Sequence, residues 1–427
     1  VELAAFFSRH GSRYPDTGAY NGWVDIQKRI QVAGPFSVTD EKLAFLKTWE
    51  PVLSDPKSQI AQLSQTGYNE LRDMGAAWRL RYPDLYQSNT PFTMWANYYA
   101  SSPRVRDSAR LFAQSFVGPN ASNLTTIYAL NGSDTSSWMN SLATSDLCKA
   151  YNDEGGSPYK DVWDAIWIKP VRSRLNAKLQ GGFNFTDGDV QQIPYLCGFE
   201  TQITGSRSPF CDLLTEDEVL QYEYSQDLRY WYGTGLGSDI EKLQMLPVLD
   251  MVAQRFVDGP NAVYQIGNTT FVPPKIMAAF TNDGQINQLI AALGVFDDEP
   301  QLPGNMSLPN RKFRSSRLTP MRGTVAFERL SCPSNPLEST CGYASTDTKD
   351  TYMRILFNDV VYPVVGCTSG PGSSCPLDEY RTIVRGKFTA AGSFARLCND
   401  TTPVFSRTRS ANFFMDPTLP YGIAIKP

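Results

Sequence analysis

The chain has 427 residues, 41% hydrophobic and 19% charged, with 39 Lys/Arg against 43 Asp/Glu for a net charge of −4. No apolar run approaches the roughly 18–20 residues a bilayer span needs, and there is neither a basic block nor an acidic tail, which argues against membrane spanning, broad nucleic-acid binding and disorder. His10 is the single histidine, so multi-histidine zinc sites and the His-Glu-x-x-His protease motif are excluded and any imidazole chemistry belongs to residue 10.

In chain order, Val1 to Ser8 is an apolar strand-like run, read as the start of a mature or trimmed form, and it ends in the charged loop Arg9-His10-Gly11-Ser12-Arg13-Tyr14-Pro15. Leu71, Met74, Trp78 and Leu80, on or near one face, predict a helix over 67–81 that Pro83 stops. An aromatic strand over 93–99 precedes a helix over 105–116. From 119 to 235 the chain is rich in Gly, Asn and Ser and reads as an insertion outside the sheet, with helical pieces over 162–175 and 216–232. Ser238 to Glu241 has the form of a capping box opening a helix that Pro247 should kink. Ile276 to Phe280 then gives a strand, Thr281-Asn282-Asp283-Gly284 a turn, and Ile286, Leu289, Ile290 and Leu293 a helix by their i, i+3, i+4, i+7 spacing. Strands over 323–330 and 352–365 complete the pattern.

Strands interleaved with helices predict an α/β fold, a mixed and mostly parallel sheet with helices on both faces plus a mainly helical cap. The expected division is 1–20, 92–118 and 270–427 as the α/β catalytic domain, and 21–91 and 119–269 as the cap. The loop after Arg9, Arg104 before its helix, and Asn282-Asp283 all fall between a strand's C-terminal end and a helix, the edge of an α/β sheet where ligands bind.

The eight cysteines contain no Cys-x-x-Cys pair and read as disulfides of an oxidising compartment. Cys367–Cys375 is the easiest local pair to expect, and Cys197–Cys211 the next. Seven Asn-x-Ser/Thr sequons, at Asn120, Asn123, Asn131, Asn184, Asn268, Asn305 and Asn399, point to a secreted glycoprotein.

Arg9-His10-Gly11-x-Arg13-x-Pro15 resembles the signature of the histidine acid phosphatases, in particular their fungal acid phosphatase and phytase branch. The resemblance continues through Leu63-Ser-Gln-Thr-Gly67, Arg104-Val105, Ser208-Pro-Phe-Cys211, Phe280-Thr-Asn-Asp283, Glu328-Arg-Leu-Ser-Cys332 and Cys367 to Cys375, in the same order as in the fungal enzymes. It implies a secreted enzyme with the histidine phosphatase fold that hydrolyses phosphomonoesters without a metal or cofactor. His10 is the expected nucleophile through a phosphohistidine, Asp283 the general acid, and Arg9, Arg13 and Arg104 the phosphate ligands.

The residues make chemical sense in those roles. Guanidinium groups are permanently charged bidentate donors for phosphate oxygens, and they disfavour a neighbouring imidazolium, which leaves the imidazole neutral and nucleophilic in acid. Bound phosphate, being negative, is expected to keep Asp283 protonated. Asn282 stands where the family usually has histidine. Its amide still donates to phosphate but adds no charge, at a cost of roughly 1 kcal/mol of affinity, and this motivates the alternative of a weakly active or non-catalytic phosphoester binder.

Phytate is a further substrate the resemblance implies. The stretch after Pro15 supplies no additional cation for its other phosphates, so broad acid phosphatase activity is expected ahead of a dedicated phytase. A cytosolic mutase-like transferase fits poorly with disulfides and sequons.

Overall fold

The computed structural model describes residues 1–100, 102–333, 349–402 and 409–427. Nine strands form its principal sheet: β1 (Leu3–Arg9), β2 (Phe92–Asn97), β3 (Thr125–Leu130), β4 (Ile276–Thr281), β5 (Thr324–Pro333), β6 (Lys349–Phe357), β7 (Val360–Val361), β8 (Cys375–Pro376) and β9 (Gly422–Ile425). Their order is β7-β6-β5-β1-β4-β2-β3-β9, with β8 paired to β6. The central strands β1, β4, β2 and β3 are parallel, and β5, β6, β7 and β9 join antiparallel on the flanks.

The parallel centre explains why β1 and β4 are apolar throughout: helices cover both faces, so neither set of alternating side chains meets water. Leu3, Ala5 and Phe7 join one buried cluster, while Ala4 and Phe6 join a second on the opposite face. The second face is closed by α2 (Gln65–Arg81) and α3 (Arg104–Val117), which bury Leu71, Met74, Trp78, Phe112 and Phe116. On the first face lie α7 (Leu246–Asp258), α8 (Asp283–Ala292) and α9 (Leu377–Ala391). The remaining long helices, α1 (Thr17–Val32), α4 (Ser157–Asn176), α5 (Asp187–Thr204) and α6 (Glu216–Thr234), pack largely on one another.

Several expectations need correction. Residues 125–130 are a sheet strand, so 119–235 is not wholly an insertion; sequons on either side, at Asn123 and Asn131, hide a short apolar run that pairs with β2. Helix α2, placed in the cap by the sequence boundaries, packs directly on α3 in the sheet layer. Ser238 does accept from the Glu241 N–H, at 3.3 Å, but only a three-residue 3-10 turn follows. Pro247 lies in the first turn of α7, where its missing N–H costs nothing, and therefore starts that helix rather than kinking one. The strand expected over 352–365 stops at Phe357, because Asn358 and Asp359 adopt φ of 47° and 73° and turn the chain back into β7.

Among the described residues three disulfides are formed, Cys197–Cys211 and Cys367–Cys375 as expected, and Cys148–Cys398 across 250 residues. Cys341 lies outside the described residues. No described helix is long and apolar enough to cross a membrane.

Candidate active site

Parallel register brings the chemistry to one edge. Arg9 pairs with Thr281 and Ala96 with Phe280, so β1, β4 and β2 end side by side, and the chain leaves them as the Arg9–Pro15 loop, as Asn282-Asp283, and as the connection to Arg104. Backbone bonds fix the loop: the His10 N–H donates to the Thr281 carbonyl at 3.2 Å, and the His10 carbonyl accepts from the Arg322 N–H at 2.9 Å.

The loop is also fastened to both helices of the second face. The Gly11 N–H donates to Ser108 Oγ at 3.1 Å, and Ser108 Oγ donates to the Arg104 carbonyl at 2.8 Å, tying residue 11 to the first turn of α3. The N–H and Oγ of Ser12 both donate to the Glu70 carboxylate at 2.8 Å. Gly67 in the first turn of α2 lies so close that a Cβ there would stand 2.0 Å from the Ser12 carbonyl oxygen, which gives the Leu63-Ser-Gln-Thr-Gly67 match a packing reason.

His10 is 1% exposed. Its Nδ1 lies 2.9 Å from the Gly11 carbonyl oxygen. A carbonyl only accepts, so in the neutral ring Nδ1 carries the hydrogen and Nε2 keeps the free lone pair. Burial, then the charges of Arg9 and Arg104, and more weakly Arg13, hold the imidazole pKa well below its ordinary value, against the opposing effect of the Gly11 bond.

Three guanidinium groups crowd the site. Arg9 donates to the Thr319 carbonyl at 2.7 Å and forms an ion pair with Asp283 at 2.9 Å. Arg13 donates to the Tyr14 carbonyl at 2.8 Å and faces Asp16 at 3.5 Å. Arg104 bonds to Ser102 Oγ, and burial together with Arg13 brings its pKa down to about 10. The Nε of all three is buried without a hydrogen-bond partner among the described residues. Buried donors left unpaired are costly, so this arrangement suits an anionic acceptor with several oxygens.

Asp283 opens α8, with Oδ2 accepting from the Tyr230 hydroxyl at 2.7 Å and Oδ1 from the Gly284 N–H at 3.1 Å. Burial disfavours its charge, but Arg9, the Tyr230 bond, His10 and Arg229 outweigh burial and hold its pKa below the ordinary carboxylate range. In the free site Asp283 is thus a carboxylate, opposite to the protonated form expected with phosphate bound. Asn282 caps α8 without a side-chain capping bond, and its Oδ1 accepts from Asn97 Nδ2 at 3.5 Å.

The second wall comes from α5 and α6. Tyr222 and Tyr230 project between three cavities of about 430, 350 and 180 Å³, which reach Arg9, Arg13 and the Asn282-Asp283 pair respectively. The local sequence pattern does not mark Tyr230, Arg229 or Glu70 as site residues. The i, i+3 or i+4 pattern that finds a helix does not tell which polar residue of α6 meets a turn some 50 positions downstream. Among the described residues no cluster of three or more His, Cys, Asp or Glu could hold a metal ion.

A family model described as "Histidine phosphatase superfamily (branch 2)" matches residues 1–358. A thiamine-repressible acid phosphatase of Schizosaccharomyces pombe is 30% identical over 92% of this chain and 83% of its own length. A phytase of Candida albicans is 25% identical over 93% and 81%. Among solved structures, the phytase from D. castellii superposes with a TM-score of 0.82 at 24% identity, over 99% of this chain and 85% of that one. With the family model spanning most of its length, the chain belongs to the histidine phosphatase superfamily, branch 2.

Proposed function

We propose that the protein is a secreted acid phosphatase that hydrolyses phosphomonoesters through a phosphohistidine on His10. The observation that carries this reading is a buried imidazole, anchored through Nδ1 to the Gly11 carbonyl, beside three guanidinium groups that disfavour its charged form and whose Nε donors are unpaired. The acid phosphatase and phytase relatives support the same chemistry.

In the proposed reaction, phosphate oxygens take up the open donors of Arg9, Arg13 and Arg104, and Asn282 adds a neutral hydrogen bond. Near pH 5 the ester is mostly a monoanion, since its second pKa is about 6, and so it brings a proton. Drawing Arg9 onto phosphate weakens the ion pair that keeps Asp283 ionised, and the added negative charge raises the carboxyl's affinity for that proton. The Nε2 lone pair then forms the N–P bond as the P–O ester bond breaks, and Asp283 protonates the departing alkoxide. Water next attacks phosphorus, the N–P bond returns its electrons to Nε2, and Asp283 takes the water's proton.

Secretion is supported by the disulfides and by the sequons, six of whose asparagines are exposed and one, Asn131, half-buried. The test is phosphate release from a simple monoester at pH 3–5 with wild type and His10→Ala. Turnover in the wild type and loss of at least about a thousandfold in the variant is the expected result. A wild type that binds phosphate without releasing it from the ester would favour the non-catalytic reading that Asn282 motivates.

A further inference from the structure

The geometry points to an apolar leaving-group chamber, which makes this enzyme favour monoesters of bulky hydrophobic alcohols over those of small ones. The inference rests on the phosphatase reading above and names the substrate class of the same site.

The chamber is the cavity of about 430 Å³ lined in part by Arg9 and Tyr230, both bonded to Oδ2 of Asp283; Tyr230 also lines the cavity of about 180 Å³ that holds Asp283 itself. In hydrolysis the departing oxygen must lie near the group that protonates it, and from Asp283 a bulky alcohol portion reaches the chamber past Arg9 and Tyr230, the two side chains that bond the acid and line the chamber. A volume of 430 Å³ falls within the roughly 300–1,000 Å³ of small-molecule pockets,. Its walls are Pro194, Phe210, Leu214, Val219, Leu220 and Pro320, with the Cys197–Cys211 disulfide between α5 and the 3-10 turn at 209–212.

The polar side chains on the wall are largely committed elsewhere. Glu223 accepts from Arg311 at 3.0 Å and from Ser316 Oγ at 2.5 Å, and Ser315 Oγ donates to Asp227 at 2.7 Å. Among the described lining residues Arg9 is the only cation, so a second phosphate entering here would meet Glu223 and apolar carbon instead of a counter-ion. An aryl or alkyl group, in contrast, leaves water for a matching surface.

Gly198 sits in the interior of α5, where glycine is an unfavourable choice, and it lines both this cavity and its neighbour of about 350 Å³. A Cβ at Gly198 would meet no atom within 4 Å. Close packing against another element therefore does not account for the glycine, which is exposed on the lining of both cavities.

The test compares esters with leaving alkoxides of similar basicity, 2-phenylethyl phosphate and ethyl phosphate, in wild type, Gly198→Ala and Gly198→Phe, with phosphate inhibition as a readout of the cation site. The wild type should prefer the phenylethyl ester in kcat/KM by about tenfold or more. Gly198→Phe should cut that preference by about tenfold with the phosphate inhibition constant within about twofold, and Gly198→Ala should largely keep it. Equal kcat/KM for the two esters in the wild type, or equal losses for both in Gly198→Phe, would overturn the chamber while leaving the phosphatase reading intact. Absence of turnover for either ester in the wild type would remove the phosphatase reading itself.

Discussion

Replacing Tyr230 by phenylalanine removes one hydroxyl, and that hydroxyl is the donor 2.7 Å from Oδ2 of Asp283. Hydrogen bonds to charged groups are worth about 1.5–3 kcal/mol, and one pKa unit corresponds to about 1.4 kcal/mol, so loss of the bond should raise the carboxyl's pKa by roughly 1–2 units. The Asp283 side chain is 32% exposed and keeps Arg9 as a partner, which places the expected shift near the lower end, about one unit. A proton on Asp283 is needed to release a poor leaving group, so the alkaline limb of kcat against pH should move up by about one unit for an alkyl phosphate. The acid limb, set by His10, should stay in place. For an aryl ester whose phenolate leaves without help, the alkaline limb should move much less. Steady-state pH profiles on both esters provide the assay; an acid-limb shift, or an unmoved alkaline limb for the alkyl ester, would refute the assignment of Asp283 as the acid that Tyr230 tunes.

Three further outcomes are expected. Gly67→Ala forces a Cβ against the Ser12 carbonyl and should destabilise the protein by about 1–3 kcal/mol, read as a lower denaturation midpoint, with reduced kcat/KM because the His10 loop shifts with it. Inorganic phosphate, by pairing the crowded guanidinium groups, should raise stability by about 2.7 kcal/mol at a hundred times its Kd, and Arg104→Ala should need much more phosphate for the same gain. Because the folded state holds the His10 pKa below its unfolded value of about 6.5, the unfolded chain binds a proton that the native one refuses as pH falls below that value. The His10 contribution is therefore absent above about pH 7 and becomes a growing penalty on acidification, up to about 1.4 kcal/mol per pH unit. His10→Gln should gain stability relative to wild type between pH 7 and pH 4; a difference independent of pH would contradict the depressed pKa.

The parts of the fold legible in the sequence are those with a strong local period. The strand-turn-helix at 276–293 and the helix before Pro83 were readable because their apolar residues repeat without interruption, and their ends carry turn residues. Helix α1 is absent from the expected elements although Trp23, Ile26 and Ile30 have helical spacing behind the Asp16 cap. Helix α5 carries a capping box at Thr186 and Asp189, but Pro194 and Gly198 in its interior break the propensity signal that would reveal it. In the site, Arg9, His10, Arg13 and the Asn282-Asp283 turn were legible because the motif loop and the turn lie at strand ends that parallel pairing aligns. Tyr230 was not legible, since its partner is chosen by how α6 lies across the sheet edge, a tertiary fact without a local trace.

The most direct test of a nucleophilic His10 is to quench turnover of a radiolabelled monoester within milliseconds into alkali, where a phosphoramidate survives, and to map the label by peptide sequencing. The account predicts an acid-labile label on His10 and none in His10→Ala. Turnover with no covalent label at any quench time, together with activity retained in His10→Ala, would contradict it.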